Sequence, residues 1–166
     1  MRWFSFLDLL LVPIFLLVFF SIADYFRTKY IQENPHYKYL FPALVGKLCG
    51  TFLFCWLYTV YYIDGGDTIA YHKSASSIVD ILIHNPNQFF TAWLGEHSLM
   101  NWKLISYLDY EISYWFNFSS YNVVRLMVLI EIISLKSFIV SSLIISGISF
   151  IALWKIYLVF VNEFPL

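Results

Sequence analysis

The chain has 166 residues, of which 60% are hydrophobic and 13% are charged, and its formal net charge is -1. A soluble globular domain is about 45–50% apolar and ~25% charged, so this chain has too few polar side chains to cover a surface in water. The composition predicts a lipid-embedded protein. Without a basic excess, the chain is not expected to bind nucleic acid.

Four apolar segments are predicted to cross a membrane, since about 20 apolar residues span a hydrocarbon core. They cover approximately residues 3–22, 39–63, 119–135 and 138–162. No small-residue cleavage site follows the first segment, so we interpret it as a retained span rather than a signal peptide. The predicted fold class is therefore all-α, a polytopic membrane protein with one membrane domain over residues 1–166.

The segment 64–118 carries too many charges to cross a membrane. Within it, Asp67 to His84 is predicted to form an amphipathic helix, which Asn85-Pro86 ends. Aromatic-rich helical segments follow, so we expect an interfacial layer of amphipathic helices. Lys and Arg counts near the spans place the link 23–38 in the cytoplasm and the loop 64–118 outside it. Lys136 is then also cytoplasmic.

The pattern richest in chemistry is Tyr61-Tyr62-Ile63-Asp64-Gly65-Gly66-Asp67-Thr68, followed by Tyr71-His72, where the second span ends. Asp67 is a candidate general base, and Asp64 with Asp67 could hold a divalent cation through oxygen ligands. The alternative is that Asp64 is a turn residue and Asp67 a helix N-cap. His72 is either a proton shuttle or a solvated helix residue. The four histidines are too scattered to predict a zinc site.

Arg125 lies inside the predicted third span, where a guanidinium is costly and usually has a partner. Asp64, Asp67 or a lipid phosphate could pair with it, since guanidinium matches phosphate geometry. The alternative is that its side chain reaches the membrane surface. A proton or ion conduit through Asp8, Arg125 and Glu131 is a weaker hypothesis.

Small residues in the second span suggest a contact with another helix. Gly46 and Gly50 form a small-xxx-small pair, which permits close helix approach. Cys49 and Cys55 lack Cys-x-x-Cys spacing and are interpreted as packing residues.

Three segments carry a resemblance to a known group: Lys38 to Gly50, the Tyr61–His72 motif, and Ser141 to Phe160 with its Trp154-Lys-Ile-Tyr157. They resemble polytopic Bacteroidota membrane proteins with a Tyr-Tyr-x-Gly-Gly-Asp-Thr motif. More loosely, the chain is similar to GT-C glycosyltransferases and Wzy- or EpsG-like polysaccharide polymerases. In these proteins an acidic residue begins the first large extracytoplasmic loop, and Asp67 occupies that place here.

The resemblance implies a transferase or polymerase of the bacterial inner membrane that acts on a polyprenyl-phosphate-linked sugar. Asp67 would be the catalytic acid or metal ligand, assisted by Asp64 and His72. Arg125, Tyr71 and Thr68 would bind substrate. The alternative is a non-catalytic membrane subunit of an envelope secretion or motility complex. Such a small unit is expected to be either the first part of a longer bundle or one subunit among others.

Overall fold

The computed structural model describes residues 6–62, 66–108 and 110–164, and every regular element in these ranges is helical. The elements are α1 (Phe6–Tyr30), a 3-10 turn (Pro35–Tyr39), α2 (Leu40–Trp56) continued by a π-helical turn (Leu57–Tyr61), α3 (Gly66–His84), α4 (Pro86–Leu94), α5 (Leu99–Ser106), α6 (Phe118–Ser134) and α7 (Phe138–Glu163). The predicted all-helical fold class is confirmed.

Within the described residues, three helical segments are long and apolar enough to cross a membrane: Phe6–Tyr30, Pro35–Tyr61 and Phe138–Glu163. The segment predicted as a further span, 119–135, corresponds to α6, which has 17 residues and is not among the three. Because α6 carries Arg125 and Glu131 along its short length, its composition is less apolar than that of the other three.

Helices α1, α2 and α7 form a three-helix bundle, which we call the span bundle. Ser137, just before α7, donates a hydrogen bond to Asp8 near the start of α1. Further along, Gly147 of α7 packs against Phe19 of α1. Helices α1 and α7 therefore run parallel, and α2 runs antiparallel to both.

Contacts of α7 at both ends fix its direction relative to the rest of the chain. Near its beginning, the Lys136 ammonium lies 2.6 Å from Oδ1 of Asp80 in α3. Near its other end, the ring of Trp154 lies 5.7 Å from that of Tyr37, beside the 3-10 turn. Lys136, which the sequence places across the membrane from the 64–118 loop, thus contacts Asp80 of that loop, and α6 packs along α3.

Residues 66–134 form a second helical body, which we call the juxtamembrane unit. Helix α3 packs along α6 and α4, and its apolar face contributes Ala75, Ile78 and Val79 to a core of fully or nearly fully buried side chains. The predicted helix from Asp67 to His84 matches α3, and Pro86 begins α4 at the position where its missing N–H costs little.

The sharp turn between α6 and α7 joins the juxtamembrane unit to the span bundle. Leu135 and Lys136 both adopt left-handed backbone conformations, with φ of 53° and 63°. Residues other than glycine rarely adopt this backbone conformation, so the surrounding contacts must hold it in place. The Ser137 hydroxyl then accepts a hydrogen bond from the Val140 N–H and caps the start of α7.

Candidate functional site

Asp67 is presented at the surface at the beginning of α3, close to where α2 ends. Its side chain is exposed, and Oδ1 accepts a 2.6 Å hydrogen bond from the Tyr114 hydroxyl. That hydrogen bond is the main reason why the pKa of Tyr114 rises to about 12, with smaller contributions from burial and from the charge of Asp67. At neutral pH Tyr114 therefore remains a donor and holds the carboxylate in one orientation.

Tyrosines surround this carboxylate. The Tyr71 ring lies 5.0 Å from that of Tyr114, and the Tyr58 ring stacks on Tyr62 at 5.2 Å. Gly66, with φ of 55°, allows the chain to begin α3 near Tyr58. The exposed acid thus lies beside aromatic faces, an arrangement suited to a ligand with both polar and apolar surfaces.

Of the predicted site residues, Tyr71 and Thr68 lie on α3 close to Asp67, and both are half-buried. Asp64, the other member of the predicted acidic pair, lies outside the described residues. Among the described residues, no group of three or more His, Cys, Asp or Glu side chains could hold a metal ion.

His72 does not join Asp67 but is buried on the opposite face of α3. Its Nδ1 lies 2.8 Å from Oε1 of Glu131, whose side chain is completely buried. The Ser141 hydroxyl donates to the same oxygen at 2.9 Å, and Ser134 donates to the other at 3.4 Å. We call His72, Glu131, Ser134 and Ser141 the Glu131 cluster. The interpretation of His72 as a solvated residue is wrong, because α6 and α7 cover it.

The Glu131 cluster links α3, α6 and α7, the elements where the juxtamembrane unit meets the span bundle. A buried carboxyl group is tolerated when its oxygens are hydrogen-bonded, and here a histidine and two serines bond to it. Because the cluster is sealed from the surface, it fits a structural role better than substrate binding. An acid in a mostly apolar helix with a serine one turn later is the sequence signal that could have revealed it.

Arg125 forms hydrogen bonds with other residues of this chain. Its Nε and one terminal nitrogen donate to the carbonyls of Trp93 and Gly95 at 3.0 and 3.1 Å, and the other terminal nitrogen donates to Asn122 at 3.2 Å. These carbonyls end α4, where a cation is favoured by the helix dipole. The predicted pairing with Asp67 is not formed, and the guanidinium has few donors left for a phosphate.

His97 completes the surroundings of Arg125. Its Nε2 lies 3.1 Å from a guanidinium nitrogen, and its ring stacks on Trp115 at 4.9 Å. Burial, and then the charge of Arg125, lower the pKa of His97. His97 is therefore neutral at pH 7 and can accept the hydrogen bond from Arg125.

Comparison of the chain with protein-family models, curated proteins and solved structures gave no match.

Proposed function

We propose that this chain belongs to a membrane glycosyltransferase or polysaccharide polymerase that acts on a lipid-linked sugar at the outer face of a bacterial inner membrane. The observation that supports this most directly is the exposed Asp67 carboxylate, oriented by Tyr114 where a membrane-spanning segment ends. A base held in one orientation at the lipid headgroup level is what transfer from a lipid-anchored donor requires.

In this proposal Asp67 accepts the proton of an acceptor hydroxyl. The hydroxyl oxygen forms a new bond to the anomeric carbon of the donor sugar, while the bond from that carbon to the polyprenyl phosphate oxygen breaks. The lipid phosphate leaves with the bonding electrons. Tyr71 and Thr68 would contact the sugar, and Asp64 would assist Asp67. Because Arg125 already donates to carbonyls at the end of α4, it is better suited to holding α4 than to binding phosphate.

Exchange of Asp67 for asparagine tests the catalytic role. Asp67→Asn keeps the size of the side chain and its acceptor oxygen for Tyr114 but cannot take up a proton. We expect loss of the surface glycan at normal protein abundance. Glu111→Gln is the matched control, since Glu111 is another exposed acid of the juxtamembrane unit and pairs with Lys73 at the surface. An unchanged glycan in Asp67→Asn would overturn the proposal.

The orientation needs its own test, because the proposal places the juxtamembrane unit outside the cytoplasm. Met100 is 74% exposed and suits a reporter cysteine. In a chain whose two native cysteines are replaced by serine, Met100→Cys should react with an impermeant thiol reagent on intact spheroplasts. Labelling only after lysis would place the unit in the cytoplasm and contradict the proposal.

The second candidate is a non-catalytic membrane subunit of an envelope secretion or motility complex. One observation favours it: a Cβ added at Gly46 or Gly50 would meet no atom within 4 Å. The small-residue face of α2 therefore points away from the described helices and is open to a helix of another chain. Cross-linking of Gly46→Cys to one defined neighbour, with an unchanged glycan in Asp67→Asn, would favour this candidate over the enzyme.

A further inference from the structure

A groove opens between α2 and α7 at the end of the span bundle that is remote from Asp67. Its volume is about 570 Å³, and its walls include Tyr39, Lys47, Phe150, Trp154 and Tyr157. Most of this wall is aromatic or aliphatic, and it lies between two segments long and apolar enough to cross a membrane. The shape and lining fit a hydrocarbon chain.

One cation in the groove lacks a counter-charge among the described residues. The Lys47 ammonium makes no hydrogen bond or ion pair with any residue that the structure describes. A cation inside a span is costly, so it favours a ligand that brings an anion. Trp154 lines the groove with its ring, while its Nε1 is covered by the protein.

The position of Lys47 suits an anion near the membrane surface. Side chains on a helix tilt toward its N-terminus, and α2 begins at Leu40, beside the 3-10 turn. The ammonium therefore reaches back toward Tyr39, at the level where lipid headgroups lie. Exposed Arg27, Lys29 and Lys38 lie around the same end of the bundle, and their charges would attract an anionic headgroup.

We propose that this groove binds an anionic phospholipid, with its phosphate on Lys47 and an acyl chain along Phe150, Leu153 and Trp154. A free phosphate ion would pair with Lys47 but would leave the apolar walls uncovered. The site is separate from the proposed function at Asp67, because it occupies the other end of α2.

The test uses the full chain, purified in detergent and titrated with phosphatidylglycerol or phosphatidylcholine, with bound lipid counted by native mass spectrometry. We expect the wild type to bind phosphatidylglycerol more tightly, and Lys47→Met to lose about tenfold in affinity, as for removal of a charge-assisted contact. Lys155→Met is the matched control: it removes the same charge from the exposed neighbour of Trp154, and we expect no change.

Two further measurements keep the outcome decisive. Phe150→Ala removes part of the apolar wall along which the acyl chain would lie, and we expect about a threefold loss of phosphatidylglycerol binding. Lys47→Arg preserves the charge and should bind as the wild type does, which covers the case that Lys47→Met fails to fold. Equal losses of binding in Lys47→Met and Lys155→Met would overturn the proposal. So would a wild type that binds the two lipids equally well, or one from which millimolar inorganic phosphate displaces the lipid.

Discussion

The span bundle and the juxtamembrane unit differ in where they place their large apolar side chains. In the bundle, large apolar side chains point outward, for example Leu9 at 75% and Leu17 at 67% exposure. In the juxtamembrane unit, Ile78 and Tyr121 are completely buried, and the Tyr121 hydroxyl donates to the Ala92 carbonyl at 2.6 Å. The bundle thus has a small core, which includes Leu44 and Leu143, and exposes many of its large apolar side chains, whereas the unit has a core of the kind found in soluble domains.

The two regions are joined by polar contacts rather than by apolar packing alone. The Glu131 cluster and the pair of Lys136 with Asp80 both lie at this junction. A small apolar cluster of Cys55, Ile69 and Phe138 lies there too. If the polar contacts hold the two regions together, their removal should separate the unit from the bundle without disrupting either one.

The largest effect is expected from Glu131→Ala, which removes the shared acceptor of His72 and two serines. Leaving one buried donor without an acceptor costs about 1–3 kcal/mol, and three donors lose theirs here, so the free energy of unfolding in mixed micelles should fall by more than about 3 kcal/mol. Glu111→Ala is the control, since Glu111 pairs with Lys73 at 3.5 Å at the surface and such pairs contribute less than about 1 kcal/mol. Equal effects of the two variants would mean that the Glu131 cluster does not stabilise the junction.

A smaller effect, confined to the span bundle, is expected at the contact of α1 with α7. A Cβ at Gly147 would lie 2.8 Å from Cε1 of Phe19, whereas one at Gly50 would meet nothing within 4 Å. Overpacking costs about 1–3 kcal/mol, so Gly147→Leu should lower the unfolding free energy of the bundle, and Gly50→Leu should not. If Gly50→Leu proved as destabilising, the small-residue face of α2 would be packed in a way that the structure does not show.

The next effect depends on pH and belongs to the juxtamembrane unit. Because the pKa of His97 is lowered in the folded chain, the unfolded state binds more protons as the solution is acidified. The stability is therefore complete above the ordinary histidine pKa of about 6.5 and declines as pH falls through the lowered folded value. Melting of the unit, followed by amide hydrogen exchange, should show this decline, and His97→Gln should flatten it. An unchanged slope in His97→Gln would assign the pH dependence to another group.

The smallest effect is spectroscopic. Asp67→Asn should bring the pKa of Tyr114 down from about 12, because the hydrogen bond to a carboxylate and its charge are the raising influences. The chain has 13 tyrosines, so the phenolate absorbance is best measured as the difference between each chain and its Tyr114→Phe counterpart. If Tyr114 titrated at the same pH with and without Asp67, the orientation of the carboxylate by this hydroxyl would be refuted.

Local signals in the sequence were sufficient to predict several elements. The spacing of apolar residues predicted α3, and Asn85-Pro86 predicted the break before α4. Long apolar runs predicted the three segments of the span bundle. Each of these elements depends on interactions within one helix or with lipid, so residues close together in the sequence are enough to predict it.

Contacts between distant segments could not be predicted in the same way. His72 lies on the polar side of α3 in the sequence pattern, and only the return of α6 along α3 buries it against Glu131. The partners predicted for Arg125 were acidic side chains or a phosphate, whereas two of its acceptors are backbone carbonyls, which no residue type reveals. Asp67 was identified from the motif, whereas its partner Tyr114 lies 47 positions away.

The parallel arrangement of α1 and α7 has a practical consequence. With α2 antiparallel to both, three crossings by these segments would place the beginning of α1 and the end of α7 in different compartments. A pair of reporter fusions, alkaline phosphatase and green fluorescent protein, exchanged between these two ends should therefore give opposite readouts, whereas four crossings would make them agree.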